Sequence, residues 1–553
     1  MQIKPSAELE WSPCLEGQEC ARLLLPLDYT NTSDTRTVAI ALHRIPAPTR
    51  GTSAHRGAVF FNPGGPGGSG TFFTMAAGRA FGTVVGKDYD VLGFDPRGVG
   101  ASTPRVDCFE DEAEREIWGV QGGYRFVNAS DDTLSMYRAR ERLVGRRCEE
   151  RAGGKDGIIS FVGTPSVARD MAEIAKKLGQ DKVHYWGFVS FFLALLTGDI
   201  HVSHCERFQS YGTVLGQYFA AMFPDKVGRF VMDGVLDGYN YRDALWNSNL
   251  VDMEEVIDSM FILCHLAAGE RCPIYEPSPT LVRARFLRIL DALKLSPVPV
   301  HAANPPFVIT HTLLTMQLVL AAYRPFDGIR YVMSTARALE TDDQEMLAMT
   351  MGVIPPAARC NCAAQLPTWV MPNEAFYAIA CGDNPASGTF DPEVFVNVYE
   401  RLVADSPHGG PFWSGYHLKC AEWPGRAAWR FTGPLEAKGA NATATPMLIV
   451  QPRWDPVCPL RDARAVTERY EGAVLLVQES YGHCTISAPS TCTMRAIQAY
   501  FQNGTLPKEG ATCEENEVPF VGRVKAEAMD ADDAELVWAT RKLVDFVPRF
   551  GMP

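Results

Sequence analysis

Apolar positions along the chain alternate between two periods. GAVFFNPGGPGGSG (57–70) is a short apolar run entering a glycine-rich loop, and KDYDVLGFDPRGVGAS (87–102) repeats that form. PSVARDMAEIAKKLGQ (165–180) instead spaces its apolar residues three and four apart, which predicts an amphipathic helix. KVHYWGF (182–188) and VGRFVMDGVLD (227–237) read as strands again. Strands alternating with helices predict an α/β fold, a mostly parallel sheet with helices on both faces. From 239 to 440 the pattern turns helical, as in LVRARFLRILDALKL and HTLLTMQLVLAAYRPF, with Pro-rich connections. That stretch reads as a helical cap inserted over the sheet. The strand rhythm resumes in TPMLIVQPRWDPVCP (445–459) and GAVLLVQESYGHC (472–484). The expected organisation is thus a core over 1–238, a cap over 239–440 and the rest of the core over 441–553, with no internal repeat.

Each returning strand ends on a chemical group. Asp455 follows MLIVQPRW and His483 follows VLLVQESYG. Both fall in loops at the carboxyl ends of strands, where open α/β sheets bind ligands. An acid followed by a histidine in that order fits a serine-hydrolase triad in which a strand–turn–helix Gly-x-Ser-x-Gly elbow carries the nucleophile. In NPGGPGGSG, Gly64 and Gly65 let backbone approach a substrate, and an amide there with that of Tyr211 would form an oxyanion hole. The loop lacks the Lys-Ser/Thr of a phosphate-binding loop. Asp95-Pro96-Arg97-Gly98 reads as a structural turn bracing it.

No intact elbow exists in the chain. Gly187-Phe188 and Ser210-Tyr211-Gly212 supply its two halves, but twenty-one residues, Val189–Gln209, lie between them. Joined directly, the halves give GFSYGTVLG, with Ser210 as nucleophile. QESYG (478–482) lacks the first glycine and abuts His483, so it offers no second elbow.

Together NPGGPGGSG, DPRGVGAS, the joined GFSYGTVLG, QPRWDPVCPL and YGHCTISAPSTC resemble the secreted tripeptidyl-aminopeptidase-like hydrolases, relatives of prolyl aminopeptidase. The resemblance runs over nearly the whole chain. It implies an α/β-hydrolase fold with a helical cap, no cofactor, and Ser210, Asp455 and His483 as triad. The implied activity is exopeptidase action on peptide N-termini; an esterase on the same triad, or a binding protein without catalysis, are the alternatives. An aminopeptidase must hold a free α-ammonium, which calls for a carboxylate. Asp252, Glu254 and Glu255, where the chain leaves the sheet for the cap, are the candidates.

The segment 189–209 admits three readings. His201, His204, Cys205 and Glu206 have a donor spacing, but no partner motif lies nearby, and no metal is expected. A genuine loop there would abolish catalysis. A retained intron is favoured: Val-Ser and Gln can be encoded by splice-site consensus sequences, and excision restores the motif without a residue gained or lost. Excision also changes the cysteine count from fifteen to an even number.

That many cysteines indicate an oxidising compartment, and Cys14/Cys20, Cys264/Cys272 and Cys484/Cys492 have spacings that suit local bridges. Four N-x-S/T sequons (Asn31, Asn128, Asn441, Asn503) agree with secretion. Met1-Gln-Ile-Lys-Pro does not open like a leader, so secretion requires an N-terminus beyond this sequence; an intracellular protein is the alternative. Net charge −13 argues against nucleic acid or anionic membrane as partner, and no apolar run is long enough to span a bilayer. The expected partner is a peptide or small-molecule substrate.

Overall fold

The computed structural model describes residues 3–122, 126–153, 157–188, 211–244, 246–269, 271–351, 373–435, 442–520, 522–523 and 531–546. Ser210 and the segment 189–209 lie outside them. A ten-stranded sheet organises the chain: β1 (Ser12–Leu15), β2 (Gln18–Pro26), β3 (Thr37–Ile45), β4 (Ala58–Asn62), β5 (Asp90–Phe94), β6 (Val183–Phe188), β7 (Val227–Asp233), β8 (Leu448–Trp454), β9 (Val474–Tyr481) and β10 (Thr512–Glu514). Their spatial order is β1-β2-β3-β5-β4-β6-β7-β8-β9-β10. From β5 onward every pairing is parallel, whereas β1, β2 and β3 form an antiparallel edge.

All five residues of β4 and of β5 are buried, which is why they read as continuous apolar runs rather than alternating ones. The helix Gly70–Val85 lies against β5. Its approach depends on two glycines: a Cβ on Gly70 would meet Phe94 O at 2.2 Å, and one on Gly93 would meet Gly70 O at 2.0 Å. Ser69 caps the helix, its Oγ accepting from Phe72 N at 3.0 Å.

Between β7 and β8 the described chain is mainly helical, with one short hairpin, Val298–Val300 with Phe307–Ile309. A single buried cluster runs through sheet and helices alike, joining Phe61 and Trp186 to Trp246, Phe286 and Leu318. Among the described residues, no helix is long and apolar enough to cross a membrane.

Among the described residues five disulfides are present: Cys14–Cys20, Cys108–Cys148, Cys264–Cys272, Cys381–Cys420 and Cys492–Cys513. The expected Cys484/Cys492 bridge is replaced. Cys492 opens the helix Thr491–Asn503, which packs beside β10, and there it meets Cys513. Of the sequons, Asn31, Asn128 and Asn503 are exposed, and Asn441 lies outside the described residues.

Candidate active site

The parallel strands β4, β6, β7, β8 and β9 bring their carboxyl ends to one edge of the sheet. β4 runs into the glycine loop, where Gly64 and Gly65 take φ of +87° and +110°, values open to glycine and rarely to other residues. A Cβ on Gly64 would stand 2.8 Å from Phe188 O and 3.4 Å from Tyr211 N. One on Gly212 would stand 2.3 Å from Phe188 O. The last residue of β6 and the first turn of the helix Tyr211–Met222 therefore meet around the same glycine.

Gly64 N–H donates to Asn62 Oδ1 at 2.9 Å, so it is already committed. Gly65 N–H and Tyr211 N–H, the latter at a helix N-terminus where amides lack intrahelical partners, remain as the candidate oxyanion donors. Asp95 braces the loop as the sequence suggests. Its carboxylate accepts from Ser69 Oγ at 2.7 Å, Thr71 N at 3.0 Å and Ala101 N at 2.7 Å. Arg97 points the other way, into a buried ion pair with Asp170 (2.6 Å), and is structural.

Beyond β8, Asp455 is fully buried. Its Oδ1 accepts from Val457 N at 3.0 Å and Cys458 N at 2.9 Å, and its Oδ2 from Cys484 N at 3.1 Å. Both oxygens lie against His483 Nδ1, at 2.8 and 2.9 Å. That contact puts the proton on Nδ1 and leaves Nε2 as the basic nitrogen. Among the described residues Nε2 is buried without a hydrogen-bond partner. His483 is fixed from the helical side too. Its N–H donates to Tyr323 O at 2.8 Å, and the Tyr323 ring stands edge-on to the imidazole at 5.3 Å.

The two halves are linked through β7. Phe188 pairs with Asp233, and Asp233 accepts from Thr485 N at 2.7 Å and Thr485 Oγ1 at 2.6 Å, two residues past His483. An oriented imidazole, a free basic nitrogen and paired backbone amides can activate a hydroxyl and hold an oxyanion.

Residues 57–188 match the family model described as alpha/beta hydrolase fold, and residues 406–513 match that described as TAP-like protein. The first match contains the glycine loop and ends on Phe188; the second contains Asp455 and His483. The chain has the α/β-hydrolase fold, with the TAP-like match over its carboxyl-terminal part. The hydrolase is 26% identical over 529 residues to a tripeptidyl aminopeptidase of Streptomyces coelicolor, covering 93% of this chain and 87% of that one. It is 24% identical over 523 residues to "Serine protease Hip1" of Mycobacterium tuberculosis, covering 91% of each. It is 27% identical over 518 residues to "Carboxylesterase B" of the same species, covering 91% and 89%.

Tyr211 of the hydrolase is anchored at its far end. Its hydroxyl donates to Thr164 Oγ1 at 2.8 Å, because Thr164 Oγ1 spends its own proton on Asp383. Tyr241 OH donates to the same carboxylate at 2.8 Å. Sequence reasoning passed over this network, since its members lie far apart along the chain.

Asp233 was also passed over. Burial, and secondarily the charge of Asp455, push its carboxyl up to about 7 against its two bonds from Thr485. Below the ordinary value of 3.8 it is protonated folded or unfolded. Between there and 7 only the unfolded chain ionises, so this group's contribution to stability falls as pH rises and is lost above 7. Asp233→Asn, neutral throughout, should gain on wild type in urea midpoint between pH 5 and pH 8.5. An unchanging difference across that range would contradict the assignment.

The three acidic cap candidates separate. Glu254 is engaged by Ser406 Oγ and by His408 Nδ1 at 2.9 Å; against burial, those bonds hold its carboxyl low. Asp252 is half-buried, and burial followed by the charge of Asp455 raises it to about 6, so it lies within electrostatic reach of Asp455. Glu255 is exposed and acts on both Asp252 and Tyr481. His201, His204, Cys205 and Glu206 lie outside the described residues, as does Ser210.

Proposed function

We propose that this chain, read without Val189–Gln209, is a serine exopeptidase releasing short peptides or single residues from peptide N-termini. The observation that carries this reading is the buried His483, bonded through Nδ1 to Asp455 with Nε2 unpartnered among the described residues. Ser210 joins Phe188 to Tyr211 at the turn between β6 and the helix. Its Oγ attacks the scissile carbonyl while His483 Nε2 takes the hydroxyl proton. The oxyanion receives hydrogen bonds from Gly65 and Tyr211 N–H. His483 then protonates the leaving amine, and water, deprotonated by the same nitrogen, cleaves the acyl-enzyme. The proximity of Phe188 and Tyr211 supports the excision, because the end of β6 and the first turn of the helix meet around Gly64. The names of the peptidase relatives support a peptide substrate, and five disulfides with exposed sequons support secretion.

Asp252, with Glu255 beside it, holds the substrate's α-ammonium in this reading. Acetylating the N-terminus of a good peptide substrate should therefore lower kcat/KM by at least about tenfold, roughly 1.4 kcal/mol. Equal turnover of free and acetylated peptides would move the assignment to an esterase, the second reading, which the carboxylesterase relative favours.

A further inference from the structure

Asp383 ends the helix Asn373–Asp383 and is buried. Burial pushes its carboxyl up to about 6, so at pH 7–8 it is a carboxylate that can only accept hydrogen bonds. Its Oδ1 accepts from Thr164 N at 3.0 Å. Its Oδ2 accepts from Thr164 Oγ1 and, at 2.8 Å, from Tyr241 OH. With its proton committed to Asp383, Thr164 Oγ1 accepts from Tyr211 OH at 2.8 Å. The carboxylate at the end of this chain therefore sets the direction of every bond in it. Asp383, Thr164, Tyr211 and Tyr241 are all buried, where a lost partner costs more than in water.

The same helix reaches the glycine loop. Phe376 lies seven residues before Asp383, two turns back on the same helical face. A Cβ on Gly67 would stand 3.1 Å from Phe376 N, so the loop lies against that turn. The helix is itself pinned: Cys381 is bridged to Cys420, and the Phe376 ring stacks on Trp246 at 5.9 Å. One cap helix thus touches both segments that carry candidate oxyanion donors. It meets the glycine loop through Phe376 and the start of the helix Tyr211–Met222 through Asp383. A bond serving only to hold the cap could end anywhere on the sheet. This one ends on the residue whose N–H is a candidate donor.

We propose that Asp383 is a positioning residue of the oxyanion hole, aiming the Tyr211 N–H through Thr164 and the Tyr211 hydroxyl. Its effect on turnover rests on the serine-hydrolase reading of the site; the anchoring itself does not. Tyr185 OH holds the same turn from β6 by donating to Gly212 O at 2.7 Å. Loss of the anchor should therefore misaim the amide rather than remove it. The expected cost is below the roughly 10²- to 10³-fold of deleting an oxyanion donor.

The kinetic arm of the test uses the form lacking 189–209 on unblocked peptides. Thr164→Val, close in shape, should lower kcat at least about tenfold and change KM less than about twofold, because the aimed amide acts in the transition state. Asp383→Asn should match it, and Thr164→Ser, which keeps the hydroxyl, should stay within about threefold of wild type. Thr164→Val/Tyr211→Phe should be no worse than Thr164→Val alone, since both cut one chain. An unchanged kcat in Thr164→Val, or a loss confined to KM, would overturn the positioning role. The second arm needs no turnover and uses the full chain. Amide hydrogen exchange over 211–215 should quicken at least about fivefold in Asp383→Asn and in Tyr211→Phe, with 448–454 unchanged. Tyr211→Phe, one oxygen smaller, carries both arms if Asp383→Asn does not fold. Exchange over 211–215 equal to wild type would overturn the anchoring. An excised wild type without turnover would instead remove the exopeptidase reading and leave exchange to decide the anchoring.

Discussion

Removing Val189–Gln209 should convert an inert chain into an active hydrolase, raising peptide turnover at least about a thousandfold. A nucleophile elbow works only if the serine is held within about half an ångström of its partners, and misplacement by about 1 Å alone can cost about a hundredfold. In the described residues the acceptor side of the site is already built. Asp455 and His483 are joined at 2.8 Å, the glycine loop is braced by Asp95, and Tyr211 is anchored through Thr164. What the excision supplies is a Ser210 bonded directly to Phe188, the last residue of β6. The comparison is made with the two forms expressed side by side on unblocked peptide substrates. Equal activity of both forms would mean that the segment is compatible with the elbow and is no retained intron.

In the excised form, Ser210→Ala or His483→Ala should each lower kcat by about 10⁴- to 10⁶-fold, since members of a triad act as a unit. Asp455→Asn should cost about 10⁴-fold by favouring the wrong imidazole tautomer. Its amide cannot accept both from His483 Nδ1 and from the Val457, Cys458 and Cys484 amides as the carboxylate does. The double variant Ser210→Ala/His483→Ala should be no worse than either single one. Steady-state kinetics at pH 7–8 reads all four. Activity surviving Ser210→Ala would remove the proposed mechanism.

The site was legible in sequence where an apolar run ended abruptly on a polar residue. Asp455 and His483 each close such a run, and a parallel strand buried on both sides leaves its functional group only at the end. The glycine loop was legible for a similar reason, though its division of labour was not. That Gly64 N–H is spent on Asn62, leaving Gly65, depends on a side-chain hydrogen bond two residues away.

Charged helices were harder to see. Thr133–Ala152 buries only Thr133, Gly145, Cys148 and Ala152. It is held by the Cys108–Cys148 bridge and by pairs such as Arg138 with Glu422 and Arg147 with Glu114, so it shows little apolar periodicity. The Cys484/Cys492 expectation failed because sequence proximity is a poor guide across a helix start, where side-chain directions diverge. Asp233, Tyr323 and Thr485 gather around His483 from three different elements, and nothing local in their own stretches marks them.

The central claim is that Ser210 becomes an activated nucleophile once it follows Phe188. Labelling with a fluorophosphonate, followed by mapping of the modified peptide, tests it most directly, because only a serine activated by a neighbouring base reacts readily. The account predicts stoichiometric modification of Ser210 in the form lacking 189–209, lost in His483→Ala, and none in the full-length chain. An excised protein that folds, retains its Asp455–His483 pair and remains unlabelled would contradict it, and would leave a binding protein on a hydrolase fold.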